Sequence, residues 1–255
     1  MYNQIQLGNF NKLAKAYRQS RPGYSKDIFN LLKYILFSNN KKIKSLDLGS
    51  GTGIFTKEIA KFSHKVIGVE LSKGMIANAY KIKNIKYLNS SADNVILEEK
   101  FDLFSSASCF HWFDNSKIAK LVNNNLKKNG FYIICYNTRK ISKNLFLKKV
   151  EKKIINLNKK FKSRVSSGQS NFVKKKILDF SKKSKLSGPI YFEFMHCENF
   201  SKKRYFTVWE SSNEFRNKLG QKNYKVFMEW LDINFPKKGI EAEYINKCWL
   251  FQKLK

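Results

Sequence analysis

Ser45-Leu46-Asp47-Leu48-Gly49-Ser50-Gly51-Thr52-Gly53-Ile54-Phe55 runs an apolar strand into a glycine-dense turn and on into a helix start. Lys42 to Leu48 reads as a buried strand, and Thr56 to Phe62 as the first turns of a helix. Glycines at i, i+2 and i+4 let the backbone turn sharply and let a ligand come close, since none carries a Cβ. The amides at the helix start then face whatever lies over the loop. A dinucleotide fingerprint requires Gly-x-Gly-x-x-Gly. Here the third glycine arrives one residue early, and Ile54 stands where that fingerprint has glycine. The nicotinamide reading weakens accordingly.

Lys65 to Glu70 forms a second strand ending in a carboxylate. At that tip a carboxylate accepts hydrogen bonds from both ribose hydroxyls of an adenosine-carrying cofactor. Ser72 is placed as the N-cap of the next helix. Ile85 to Leu88 is a short third strand, followed by a polar turn holding Ala92 and Asp93. Phe101 to Ser106 is the fourth, and it exits through Ala107-Ser108-Cys109-Phe110-His111-Trp112-Phe113-Asp114. The carboxyl ends of such strands face the ligand crevice, so this loop is expected beside the reacting group. Asp114 is the expected cap of a helix over 115–126, and Phe131 to Tyr136 is a fifth strand.

Asp47-x-Gly49-x-Gly51-x-Gly53 resembles motif I of the class I S-adenosylmethionine-dependent methyltransferases. The resemblance runs through ordered motifs over residues 10–137 and more loosely to the final strands. It implies S-adenosyl-L-methionine as cofactor. Asp47, Gly49, Ser50, Gly51 and Gly53 would hold its methionine end, Glu70 its ribose, and Asp93 with Ala92 its adenine. Leu71, Met75 and Ser108 complete the implied cofactor-binding set. Ala16-Tyr17-Arg18-Gln19-Ser20-Arg21-Pro22-Gly23-Tyr24 is similar to the Tyr-x-x-x-Arg-Pro-x-Tyr segment of small-molecule methyltransferases of the trans-aconitate methyltransferase type. In those relatives the segment folds over the cofactor. His111-Trp112-Phe113 resembles a loop of small-molecule carboxyl and carbon methyltransferases.

These likenesses make Tyr17, His111 and Trp112 the catalytic candidates. His111 serves either as a base or as a hydrogen-bonding group for substrate, and Trp112 walls a dry pocket. The expected acceptor is a small molecule, with O-methylation of a carboxylic acid favoured. Arg18, Arg21 and Arg216 are candidate clamps, because a guanidinium pairs bidentately with a carboxylate. A base N-methyltransferase would show Asn/Asp-Pro-Pro-aromatic after strand four, and an RNA cytosine-C5 enzyme a Pro-Cys pair; the sequence has neither there.

The expected fold is α/β: a doubly wound, seven-stranded Rossmann-like sheet, mostly parallel, with an antiparallel final strand and helical cap insertions. Residues 1–255 are read as one domain, with 1–140 the cofactor-binding core. Residues 141–188 and 201–238 are read as cap insertions, and 189–200 with 239–255 as a closing strand hairpin. Lys140 to Leu186 reads as helical with a break at Ser166 to Ser170. Phe206 to Leu219 and Tyr224 to Phe235 read as two further helices.

The formal net charge of +31 invites a nucleic-acid partner. The charge is spread along the chain, however, and only six of the fifty basic residues are arginine, the type suited to phosphate forks. An A+T-rich coding bias gives the same lysine, asparagine, isoleucine and phenylalanine excess. No apolar run approaches the roughly 18 residues of a membrane span, and Met1 to Gln6 lacks a basic region followed by an apolar one. Cys109, Cys135, Cys197 and Cys248 lie far apart, are read as small buried apolar residues, and suit a reducing cytoplasm without a metal centre. The alternatives are an RNA-directed methyltransferase and a non-catalytic binding module on the same fold.

Overall fold

The apolar run before the glycine turn is β1 (Lys44–Leu48), buried because strands flank it on either side and helices cover both sheet faces. The computed structural model describes residues 10–37, 42–141, 144–159, 161 and 171–255. On one side of β1 lie β2 (Lys65–Glu70) and β3 (Ile85–Asn89); on the other lie β4 (Phe101–Ala107) and β5 (Leu126–Lys140), all parallel. Beyond β5 comes β7 (Ile240–Gln252), antiparallel to it, and β6 (Ser187–Phe200) forms the edge, antiparallel to β7. The strand order is therefore β3-β2-β1-β4-β5-β7-β6. This is the doubly wound, seven-stranded sheet with an antiparallel final strand that the sequence pattern predicts.

One face is covered by α2 (Lys26–Phe37) and α3 (Thr56–Ile59), which set Ile28, Leu32 and Ile59 against Val66, Leu103 and Ile133. The other is covered by α5 (Asn115–Asn125) and α7 (Asn171–Lys183), which set Ile118, Val122, Ile177 and Phe180 against Leu46, Phe104, Tyr132 and Phe251. Beyond the carboxyl ends of β5 and β6, where β7 begins, α6 (Leu145–Leu157), α8 (Lys202–Glu210), α9 (Asn213–Leu219) and α10 (Gln221–Asn234) build a separate apolar cluster on Phe200 and Tyr244. Helix α1 (Phe10–Ser20) packs between α8 and α4 (Lys73–Ala77).

Several expectations are corrected. The 141–188 stretch divides: α6 joins the cap, but α7 presents Val173, Ile177 and Phe180 to the sheet and belongs to its covering layer. The helix expected over 206–219 is two, broken at Ser211 and Ser212, where hydroxyls compete for backbone groups. Ser211 donates to the Val208 carbonyl at 2.8 Å. Helix α3 is a single turn, since the chain bends after Ile59 to start β2. The break expected at Ser166 to Ser170 lies outside the described residues.

Both predicted caps form: Ser72 accepts from the Met75 amide at 3.2 Å, and Asp114 from those of Ser116 and Lys117 at 2.8 and 3.0 Å. Cys135 and Cys248 are buried cross-strand partners, but Cys197 is exposed, because it lies on the edge strand. No helix among the described residues is long and apolar enough to cross a membrane.

Candidate active site

The glycine turn leaves β1 with Gly49, Gly51 and Gly53 all at positive φ (66°, 56° and 79°), the left-handed backbone that favours glycine. Two carboxylates shape it. Asp47 is fully buried, and its two oxygens accept from the hydroxyls of Thr56 (2.6 Å) and Ser105 (2.7 Å). Burial pushes its carboxyl up to about 6, against the pull of those two hydrogen bonds. Glu70, at the tip of β2, accepts from the amides of Gly51 (2.9 Å) and Ser72 (2.8 Å). Burial raises its carboxyl too, while the amides hold it down.

The hydroxyls of Ser50 and Thr52 are buried with no hydrogen-bond partner among the described residues. A Cβ placed on Gly51 would meet nothing within 4 Å. Open space over a loop floored by unsatisfied polar atoms fits a polar ligand, and so fits the cofactor that the motif resemblance implies.

A cavity of about 430 Å³ opens from this loop toward the cap. Tyr17, Arg21, Asp47, Gly49, Ser50, Gly51, Ser108, His111 and Trp112 all line it, so nine of the candidates converge there. Glu70, Leu71, Met75, Ala92, Asp93 and Gly53 lie outside this cavity: at the tip of β2, on α4, in the loop after β3 and in the turn before α3. Asp93 accepts from the Asp114 amide at 2.9 Å, tying the loop after β3 to the one after β4.

Two candidates point elsewhere. Arg18 lies over the Tyr80 ring, 4.3 Å from its centroid, and donates to the Asn78 carbonyl at 3.3 Å. The cause is helical phase: Tyr17 and Arg21 are four residues apart and share the cavity face, whereas Arg18 is rotated about 100° toward α4. Arg216 lies 4.7 Å over the Tyr224 ring, between α9 and α10. Neither lines the cavity.

The segment from Arg21 to Ser25 crosses the cavity as a strap. Asn137 donates to the Gly23 carbonyl (2.6 Å), Glu198 accepts from the Gly23 amide (2.8 Å), and Asn246 accepts from the Ser25 amide (2.7 Å). Asn246 also donates to the Asn137 carboxamide oxygen at 2.9 Å. The hydroxyls of Tyr24 and Ser108 meet at 3.1 Å, with Ser108 itself at φ 61°. Under the strap, Arg21 lies 4.7 Å over the Tyr17 ring, and its Nε is buried with no hydrogen-bond partner among the described residues.

His111 sits on a short 3-10 turn, Phe110–Trp112, at the exit of β4. The buried Tyr136 hydroxyl accepts from the His111 amide at 3.0 Å and lies 3.2 Å from Nδ1. At the far end, Arg139 from β5 pairs with Glu151 of α6 at 3.0 Å and donates to the Tyr205 hydroxyl at 3.3 Å. Trp209 and Tyr244 complete that wall. Sequence reasoning missed Asn137 and Arg139, although both lie toward the carboxyl end of a strand, where ligands of such sheets bind. Glu151 and Asn246 carry no local signal. Among the described residues, no three His, Cys, Asp or Glu side chains converge as metal ligands.

Comparison with known proteins agrees with this architecture. Residues 46–134 match the family described as a methyltransferase domain. A candidate methyltransferase of Dictyostelium discoideum is 33% identical over 137 residues, 53% of this chain and 51% of that protein. The malonyl-[acyl-carrier protein] O-methyltransferase of Bacillus anthracis is 29% identical over 115 residues, 42% of this chain and 43% of that protein. The chain thus spans about half the length of the curated relatives it matches. Among solved structures, a candidate type II methyltransferase from Anaeromyxobacter dehalogenans shares the fold with a TM-score of 0.65 at 14% identity, over 92% of this chain and 98% of that one.

Proposed function

We propose, from the premise that residues 46–134 form a methyltransferase domain, that the chain transfers a methyl group from S-adenosylmethionine to a carboxylate oxygen of a small acceptor. The observation that carries the proposal is the continuity of one cavity from the glycine turn to Arg21 and His111. A volume of about 430 Å³ suits small molecules. The Bacillus anthracis relative is named for O-methylation, which supports an oxygen acceptor.

When bound, the cofactor would supply an electrophilic methyl group on a sulfonium, for an acceptor oxygen to take. Asp47, Glu70 and the glycine turn are the groups that would hold it, with Asp93 and Ala92 at the adenine. A carboxylate is already ionised near neutral pH and needs no base. The protein's remaining tasks are alignment and exclusion of water. Arg21 supplies positive charge under the strap. If the Tyr136 hydroxyl donates its proton to Nδ1, His111 carries its own on Nε2 and offers the acceptor a hydrogen bond rather than serving as a base. Trp112 and the Tyr24–Ser108 contact close the chamber.

Transfer of tritiated methyl across a panel of small carboxylic acids, phenols and bulk RNA tests the proposal. Labelled methyl esters, lost on mild alkaline hydrolysis, are expected. Label confined to phenols or to RNA would overturn it.

A further inference from the structure

Arg18 turns away from the cavity, yet it is tied to the glycine turn that floors it. Its guanidinium lies 4.3 Å from the centroid of the Tyr80 ring and donates to the Asn78 carbonyl at 3.3 Å. Lys57, from α3, reaches the same ring at 4.4 Å. Each cation is attracted to the negative face of the ring. The Tyr80 backbone is held too: its amide donates to the Thr52 carbonyl at 3.2 Å, and its carbonyl accepts from the Tyr87 hydroxyl at 3.1 Å. Thr52 belongs to the glycine turn, lines the cavity, and carries one of the buried, unpartnered hydroxyls there.

The fit of Tyr87 marks this as a built support. A Cβ on Gly68 of β2 would fall 2.8 Å from the Tyr87 ring and 2.9 Å from the Ser50 hydroxyl. A Cβ on Gly53 would run into the Tyr87 hydroxyl. Two absent side chains thus let the phenol press against the turn. Burial and the charge of nearby Asp47 push that phenol up, so it stays protonated and donates to Tyr80. Helix α1 therefore works on two faces. Tyr17 and Arg21 line the cavity and lead into the strap, while Arg18 engages α4 and, through Tyr80, the turn. Docking α1 sets the strap and the glycine turn together.

We propose that Arg18 and Tyr80 form a latch through which α1 holds the glycine turn in its cofactor-binding shape, making Arg18 a positioning residue for S-adenosylmethionine rather than an acceptor clamp. This rests on the glycine turn being the cofactor site and stands whichever acceptor takes the methyl group. Coupling between sites is reciprocal, so bound cofactor also tightens α1 on α4.

Calorimetric titration with S-adenosylhomocysteine, which needs no acceptor, compares wild type, Arg18→Ala, Arg18→Lys, Tyr80→Leu and the double variant Arg18→Ala with Tyr80→Leu. Arg18→Ala and Tyr80→Leu should each raise Kd about three- to tenfold. Arg18→Lys should raise it less, and the double variant no more than the worse single one. Hydrogen exchange of the α1 amides should slow when the wild type is loaded, and slow less in Arg18→Ala. A Kd unmoved in Arg18→Ala, or losses that simply add in the double variant, overturns the latch. So does a KM for the labelled acceptor that rises while Kd stays level, which returns Arg18 to the acceptor. Wild type that binds no S-adenosylhomocysteine overturns the cofactor site itself, and the latch with it. Arg18 is exposed, so its variants keep the fold, and they carry the test alone should Tyr80→Leu fold poorly.

Discussion

The Tyr136 hydroxyl lies 3.0 Å from the His111 amide nitrogen and 3.2 Å from His111 Nδ1, so one buried phenol holds both the backbone and the ring of that residue. Tyr136→Phe keeps the shape but leaves the His111 amide without its acceptor, at a cost of about 1–3 kcal/mol. Thermal denaturation should show a loss of that size. The ring, no longer fixed, should lower kcat/KM while cofactor affinity stays level.

If His111 donates a hydrogen bond, His111→Gln should recover part of the activity that His111→Ala removes. A donor of this kind contributes about 1–3 kcal/mol when its partner is charged. Initial rates on a carboxylic acid decide the matter: equal loss in both variants would favour a base.

Asp47 gives a pH signature. Its folded carboxyl titrates at about 6, above the unfolded value of 3.8. Below the unfolded value both states are protonated and burial carries no penalty. Between the two values the unfolded chain ionises first, so stability falls as pH rises. Above about 6 the full penalty of about 3 kcal/mol is present. Asp47→Asn should flatten this slope in melting curves taken from pH 4.5 to 8. A cationic ligand over the loop favours the ionised form, so S-adenosylmethionine affinity should rise with pH through that range in the wild type and less steeply in the variant.

Glu70→Ala releases the Gly51 and Ser72 amides as well as any ribose contact. Cofactor affinity should drop by about 2–4 kcal/mol. Calorimetric titration with S-adenosylhomocysteine giving an unchanged Kd would reject the ribose assignment.

Asn137 bridges the strap, β7 and His196, accepting at 3.3 Å from the last if that nitrogen carries the proton. Asn137→Ala should destabilise the fold by about 2–3 kcal/mol through the Gly23 carbonyl and Asn246 carboxamide left behind. Faster amide exchange at Gly23 to Ser25 would locate the loss in the strap.

What the sequence discloses and what it conceals divide along range. The glycine turn, the Ser72 and Asp114 caps and the succession of strands along the chain up to β5 follow from spacings of a few residues, where φ preferences and capping act directly. Helix α7 shows its apolar face in sequence, but nothing local says which layer that face will meet. Arg18 and Arg21 look alike as clamps until the helix phase is fixed by packing against α4. Asn137, Glu151 and Asn246 are ordinary polar residues in the chain. Their positions follow from contacts across tens to hundreds of residues, such as Ser25 with Asn246, which periodicity does not encode.

Because β7 lies inside the sheet, between β5 and β6, a strand that follows all six others in chain order is one the interior cannot do without. Until it arrives, β6 has nothing to pair with and the strap lacks its Asn246 anchor. A nascent chain that has already emerged through the glycine turn and the His111 loop therefore still lacks a closed chamber. Competence comes in one step, when β7 takes its place between β5 and β6.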